Sequence, residues 1–374
     1  MLNAKWPAFV VVLLVFAGCG ETRDDGYWQG RIDVISGVTR IMNEVPILHP
    51  ADSTAELSLN EDLVLDGSGE QKFSSVFGIT TDRNDNIFVA DAESKRILKF
   101  SPEGRYLASV GSEGVGPLQF RNPVDMVVDA ENKLYVVDSE LNRVSVFNPD
   151  LSYSDIWPTH YIKPRRIRID AEGNVLLFVI TQYDLIYKFK PNGDPINSFY
   201  DPKEAPRRMG SLDNLVNYSD AAMELTNEGY VVVSARHPYW IRKFDRVNGL
   251  QAEFNRKTTF DVVPFKEWEP GYSPPPVGIS GGLAVFPDGR IMNVVQYQEL
   301  EQVGVSPEGL PQVKISRHER WYDFFTPEGK WEMSAQPDVN GFPMHVDRHG
   351  RIYFAELEKN RIVRYEVVFP EELN

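Results

Sequence analysis

Cysteine is almost missing from this sequence: Cys19 is the only one in 374 residues. Internal disulfides are therefore excluded, and packing alone must hold the fold. Histidine is scarce too. His49, His160, His237, His318, His345 and His349 are the full set, and none stands in an HxH, HExxH or HxxE arrangement. The short metal motifs of hydrolases are thus absent. Positive charge is in deficit, with 39 Lys and Arg against 54 Asp and Glu, a net charge of −15. Such a surface repels nucleic acid and anionic lipid, which need clustered Lys and Arg. No run of 18 apolar residues occurs, so no segment reads as a membrane-spanning helix. Sustained helical stripes at i, i+3, i+4 are missing as well.

What is present begins with the ends. Lys5 precedes an unbroken apolar run from Ala8 to Ala17, followed by Gly18. Ten residues are too few to cross a bilayer, which takes roughly 20. A positive start, a short apolar core and small residues read as a secretory signal. Phe16-Ala17-Gly18-Cys19 resembles the bacterial lipobox. That resemblance implies a thioether-linked lipid on Cys19, which becomes the mature N-terminus, and Gly20 after it points to the outer membrane. The expected division is a leader at 1–18, a lipidated tether and N-terminal segment at 19–55, and a folded body at 56–374. Without the leader, Lys5 is lost and 38 basic residues face 54 acidic ones, net −16.

Some 356 residues exceed the ~250–300 at which one core stops growing, so either two domains or a ring of repeats is required. Self-comparison favours the ring. Residues 77–104 match 123–150 and again 344–367; weaker copies occupy 166–193, 221–249 and 281–298, the last completed after an insertion by 319–331. Equivalent positions fall at Asp82, Asp129, Asp170, Leu225, Phe286 and Asp347. Each unit alternates short apolar or β-branched strands with Asp, Asn, Gly and Pro turns, the signature of antiparallel sheet. Four strands per unit at a period of about 40–60 predict an all-β, six-bladed β-propeller. The last unit lacks a fourth strand. The alternating segment 56–65 is expected to supply it and so close the ring. Residues 31–48 also alternate and are expected to pack on the outside.

Asn86–Asp91 followed by Arg96-Ile97, and Leu134–Asp138 followed by Arg143-Val144, resemble NHL repeats. With the lipobox, 56–67 and 111–123, the chain is similar to exported bacterial six-bladed propeller lipoproteins over about residues 56–369. The resemblance implies the fold and says little about activity.

Three units carry an acid and an Arg five apart: Asp91/Arg96, Asp138/Arg143 and Glu356/Arg361. A carboxylate and a guanidinium can pair there in bidentate fashion and clamp the turn between second and third strands. The other three units have Val179, Ser234 and Val295 in the acid's place. Those units also hold the longest links, 200–219, 255–280 and 296–318. Strands that alternate in direction send all three links, and 111–123, to one face. Loops on a rigid scaffold commonly bind.

That face is therefore the expected ligand surface. Its links or their borders carry Tyr200, Tyr218, Tyr239, Trp240, Trp268, Tyr272, Tyr297 and Trp321, and basic residues gather beside them in the segment His160–Arg168. The residues chosen for ligand contact are Arg165, Arg166, Arg207, Arg208, His237, Trp240, Trp268 and Tyr297. Aromatic rings would stack on a sugar or peptide, and the Arg residues would meet its carboxylate or sulfate. The expected partners are a glycan, a peptide or an envelope protein, and the membrane through the N-terminal lipid; nucleic acid is not among them. No cofactor is assigned. The alternative is a metal-dependent enzyme with a site near the axis, the activity of two other propeller families: a lyase with zinc held by His160, His237 and His345, or a lactonase with calcium held by Glu, Asn and Asp. Asp82–Asn86 superficially resembles the start of a calcium loop but lacks its later glycine and glutamate, and is read as a turn.

Overall fold

Short apolar strands punctuated by four-residue turns become sheets whose two faces are both covered. In the computed structural model, residues 28–48, 57–66, 73, 75–160, 163–179, 184–200, 222–234, 239–245, 247, 249–256, 279–305, 311–339, 341–356 and 359–373 are described. The N-terminal segment forms β1 (Gln29–Ile35), β2 (Val38–Val45) and β3 (Ser58–Leu65). Blade one is β4 (Val76–Thr81), β5 (Ile87–Asp91), β6 (Arg96–Phe100) and β7 (Tyr106–Val110). Blade two is β8 (Pro123–Val128), β9 (Leu134–Asp138), β10 (Arg143–Phe147) and β11 (Tyr153–Pro158). Blade three is β12 (Pro164–Ile169), β13 (Val175–Val179), β14 (Ile186–Phe189) and β15 (Pro195–Phe199). Blade four is β16 (Ala222–Leu225), β17 (Val231–Ser234), β18 (Ile241–Phe244) and β19 (Leu250–Arg256). Blade five is β20 (Ile279–Val285), β21 (Ile291–Val305), β22 (Pro311–Phe325) and β23 (Trp331–Ala335). Blade six is β24 (Phe342–Val346), β25 (Ile352–Glu356), β26 (Arg361–Val368) and, returning from the N-terminus, β3. Among the described residues there is no α-helix.

The turn between first and second strands explains the repeat. In all six blades a residue's carbonyl accepts the amide three positions on: Asp82, Asp129, Asp170, Thr226, Phe286 and Asp347 are the acceptors. The donors, Asp85, Asn132, Gly173, Gly229, Gly289 and Gly350, all have φ between 59° and 89°. Gly takes that left-handed conformation freely, and Asn and Asp tolerate it. The Asp side chains add to the turn. Asp82 Oδ1, for example, accepts the amides of Asn84 at 2.8 Å and Asn86 at 2.9 Å. The would-be calcium loop is thus a capped hairpin turn. The fourth unit's turn starts at Thr226 rather than Leu225, so the residue in the acid's place is Ala235, outside the described residues, and not Ser234.

No single core exists. Six apolar clusters form, one at each blade–blade interface; Phe88, Ala90 and Ile97 of blade one, for instance, pack with Met126, Val136 and Phe147 of blade two. Second strands are therefore covered on both faces, which is why β5, β9, β13 and β25 are buried at every position. Runs such as LYVVD and VLLFV reflect that double burial, which overrides simple alternation.

The predicted closure is found. β3 lies antiparallel to β26, from Leu65 opposite Ile362 to Ser58 opposite Val368. The 31–48 segment does lie outside, and its attachment is specific. β1 and β2 form a hairpin, and β2 runs parallel to β19, extending blade four to six strands. Asn43 fastens it. Its Oδ1 accepts Trp28 Nε1 at 2.7 Å and the Trp331 amide at 3.0 Å, and its Nδ2 donates to the carbonyls of Asn255 at 2.6 Å and Gly329 at 3.1 Å. Ile47 and Leu48 then donate to Trp331 and Glu332 carbonyls of blade five. The N-terminal segment thus contacts blades four, five and six in turn.

The expected insertion at 296–318 corrects differently. It is largely strand: β21 and β22 pair from Ile291 opposite Phe325 out to Val305 opposite Pro311. Among the described residues, β20 pairs with β21 only as far as Gln296 and β23 with β22 only as far as Tyr322, so beyond them a two-stranded arm continues for roughly 30 Å at ~3.4 Å per residue. Glu299 stands opposite Arg317 and Glu301 opposite Lys314 in its ladder.

Candidate functional site: the axial channel

The innermost strands β4, β8, β12, β16, β20 and β24 surround an axial channel. Five of them are apolar apart from one or two polar residues, and β12 carries three arginines, Arg165, Arg166 and Arg168. On β12, Ile167 is buried in the interface between blades two and three, and the alternate residues Arg166 and Arg168 line the channel. Arg168 Nη1 donates to Asp125 Oδ2 at 2.9 Å, Nε donates to Glu224 Oε2 at 2.8 Å, and Nη2 donates to Glu224 Oε1. Asp125 Oδ2 also accepts the Ile167 amide at 3.0 Å. One guanidinium thereby ties the three consecutive blades two, three and four together. Burial alone would lower Arg168, but Glu224 and Asp125 hold it above its ordinary value. The cluster is rigid in the manner of bidentate carboxylate–guanidinium pairs.

Across the channel, His345 of β24 shares a 2.9 Å hydrogen bond between its Nε2 and Thr81 Oγ1, joining blades six and one. Its ring lies 5.7 Å from that of Tyr353. Burial pushes the imidazole down to about 4, helped by the Arg168 charge and opposed by Asp347 and Asp125. At neutral pH it is uncharged.

The Arg168 cluster divides the channel into two cavities, both bordered by Arg168, Glu224 and Leu283. One, of about 380 Å³, is lined by the starts of the inner strands, including Phe77, Arg166, Phe342 and Met344. It opens on the face where links between blades emerge. The other, of about 310 Å³, is lined by the ends of those strands and by the first turns, including Met126, Val127, Leu225 and Phe286. On that turn face neighbouring blades clasp one another: the Arg83 amide donates to Asn132 Oδ1, Asn227 Nδ2 to the Pro287 carbonyl, and Arg348 Nε to Asp85 Oδ1.

The residues chosen from sequence are placed as follows. Arg165 and Arg166 lie at the start of β12, and Arg166 lines the link-side cavity. Trp240 is half-buried just before β18. Tyr297 stands opposite Glu319 in the arm. Arg207, Arg208, His237, Trp268 and Cys19 lie outside the described residues. His160 is exposed on the link after β11, while His345 is in the channel. Among the described residues, no group of three or more His, Cys, Asp or Glu is placed to hold a metal ion. Two of the aromatics noted on the links turn inward. Tyr200 and Tyr239 are buried, Tyr200 accepting from Arg242 Nη1 and Tyr239 donating to Asp323 at 2.8 Å.

The acid–Arg pairs differ from blade to blade. In blade six Arg361 pairs with Glu356 through Nε at 2.6 Å and Nη2 at 3.1 Å, as expected. In blade two the roles separate. Asp138 accepts amides of Arg121 and Leu141, and Arg143 grips the carbonyls of Val115, Gly116 and Gln119. Both residues thus fix the 111–122 link. In blade one a serine intervenes, with Arg96 reaching Ser94 at 3.3 Å and Ser94 donating to Asp91 at 2.6 Å.

Sequence reasoning noted Arg168 only as the end of a basic segment, did not choose it for the site, and overlooked Asp125 and Glu224. The usable signal was a lone charge inside an otherwise apolar inner strand, PVDMVV or AMEL, and the Arg–Ile alternation of PRRIRI.

This architecture defines a six-bladed β-propeller. A family model described as a 6-bladed beta-propeller matches residues 68–194, about a third of the chain. A search of curated proteins finds no match. Among solved structures, the chain is similar to a putative exported protein from Bacteroides fragilis, with TM-score 0.56 and 13% identity over 89% of this chain and 100% of that one. It is also similar to a gluconolactonase from Xanthomonas campestris, with TM-score 0.51 and 12% identity over 86% and 94% of the two chains. A virginiamycin B lyase from Staphylococcus aureus aligns with TM-score 0.50 and 11% identity over 84% and 100%. Identities this low establish the shared fold alone.

Proposed function

We propose that this chain is an exported envelope lipoprotein, lipid-anchored through Cys19, whose propeller binds an acidic glycan or peptide through the link face. The observation that carries the binding reading is the 380 Å³ link-side cavity, where Arg166 and the 45%-exposed Phe77 stand together above the Arg168 cluster. An apolar ring can cover a sugar or side-chain face while the guanidinium takes its carboxylate. The arm of β21 and β22 springs from the same face. The leader, the lipobox resemblance and the likeness to an exported protein support envelope placement.

Calorimetry on soluble protein beginning at Gly20, with oligogalacturonate and an aspartate-rich peptide as probes, tests the binding. One of the two should bind, and Arg166→Ala should weaken it at least tenfold. Unchanged affinity in that variant, or no binding by either probe, would overturn the reading. Alkyne-palmitate labelling of the full chain, abolished by Cys19→Ala, tests the anchor. The metal-dependent lyase or lactonase alternative requires stoichiometric metal in elemental analysis of the same protein.

A further inference from the structure

The outer edge of β1 is open, and its geometry follows from its own turn. β1 is the last strand of the six-stranded sheet of blade four, and among the described residues no strand pairs with its far side. Ser36 and Gly37, with φ of 53° and 82°, form the two-residue turn to β2. In such a turn the flanking residues, Ile35 and Val38, exchange both backbone hydrogen bonds. Bonded and non-bonded pairs then alternate along the ladder, so Arg31, Asp33 and Ile35 direct their amides and carbonyls at β2. Gly30, Ile32 and Val34 direct theirs outward. The strand also carries exposed apolar side chains, with Ile32 at 49%, Val34 at 69% and Ile35 at 48% exposure. An edge with these properties is a template for another strand. Its charged pair, Arg31 Nε to Asp33 Oδ2 at 2.8 Å, is exposed and adds little on its own.

We infer that β1 is the contact of a reversible two-fold dimer, in which it pairs antiparallel with β1 of a second copy about an axis at Ile32. The strand is complementary to itself in that register. Ile32 meets its counterpart, Gly30 lies opposite Val34, and Arg31 lies opposite Asp33, the last two pairings occurring twice. The outward amides and carbonyls of Gly30, Ile32 and Val34 then all face one another. Arg31 and Asp33 fall at the non-bonded positions, where side chains of opposite strands come closest. Val34 fits against Gly30 because the space a side chain would fill there is held by the Trp28 ring, 2.5 Å from an ideal Cβ. One face of the joint thus gathers Trp28, Ile32 and Val34 from both copies, and the other gathers four charges of alternating sign. Neighbouring registers are worse. An axis at Arg31 sets Arg31 against itself, and an axis at Asp33 sets Asp33 against itself, both unfavourable. Moving the axis to Gly30 or Val34 separates Arg31 from Asp33 and shortens the ladder. One strand edge is a small interface and each copy carries a net charge of −15, so the dimer dissociates on dilution. It needs neither the link face nor the lipid anchor.

Sedimentation velocity of the purified full chain, in density-matched non-ionic detergent over a wide range of protein concentration, tests the pairing. The protein mass should move from that of one chain, 42.6 kDa, toward that of two as concentration rises. Arg31→Asp and Asp33→Arg each set like charges opposite one another in the predicted register, and each alone should weaken the dimer at least tenfold. Mixed in equal amounts, the two variants again set opposite charges face to face at both positions and should associate as the parent chain does. That recovery also shows that both variants are folded, and only this register predicts it. A single-chain mass at every concentration, unchanged association in either variant alone, or a mixture no more associated than its components would overturn the inference.

Discussion

Acidification should weaken this propeller through a single imidazole before it acts on carboxylates. His345 is neutral when folded because burial pushes it down to about 4 from its ordinary 6.5. Unfolding returns it to water, where it takes a proton more readily. The unfolded state therefore binds more protons between pH 6.5 and 4, and stability falls as pH falls through that window. The difference of about 2.5 units corresponds to ~3 kcal/mol in full, of which about 2 kcal/mol is lost between pH 7 and pH 5. Carboxylates held low by their partners, such as Asp170 with Lys188 and Glu356 with Arg361, act in the same direction but below about pH 4.5. Urea unfolding followed by tryptophan fluorescence at pH 7, 6 and 5 measures the slope. His345→Gln retains a group that can hydrogen-bond Thr81 and cannot titrate, so its stability should be nearly flat over that range. An identical slope in wild type and variant would refute the assignment of this proton to His345.

Other outcomes follow from packing. Asn43→Ala strands the buried Trp331 amide and the Gly329 and Asn255 carbonyls, and should cost about 2–4 kcal/mol in urea unfolding. Gly329→Ala places a Cβ 2.6 Å from Phe254 at a φ of +101°, and should lower stability by more than ~1 kcal/mol with an unchanged m-value. Deleting 57–66 removes β3 and uncovers the β26 edge; gel filtration should then show self-association where the parent chain is not altered.

The fold was legible because a propeller repeats its turns. A four-residue turn that ends in Gly, Asn or Asp recurs six times between first and second strands, and the missing last strand told where 56–65 would go. Two features resisted. The fourth unit replaces the turn's Asp with Thr226, and without that marker the alignment slipped by one residue onto Leu225. The 296–318 stretch was read as a link because its Gln and Glu residues obscure the alternation by which strands are recognised. The β1–β2 hairpin was expected outside the ring, but its parallel seat on β19 depends on Asn43 contacts with residues more than 200 positions away. The site was half legible. Arg166 was chosen for its basic neighbourhood, whereas the channel cluster joins Asp125, Arg168 and Glu224 from three blades, and such convergence has no local signature.

The central claim is that ligand is held at the link-side mouth of the channel. The most direct measurement is a crystal structure of the protein with whichever acidic probe binds in solution. Density for its carboxylate on Arg166, with the ligand body against Phe77, is the predicted result. Density confined to the outer rim of the blades, away from the inner strands, would contradict it.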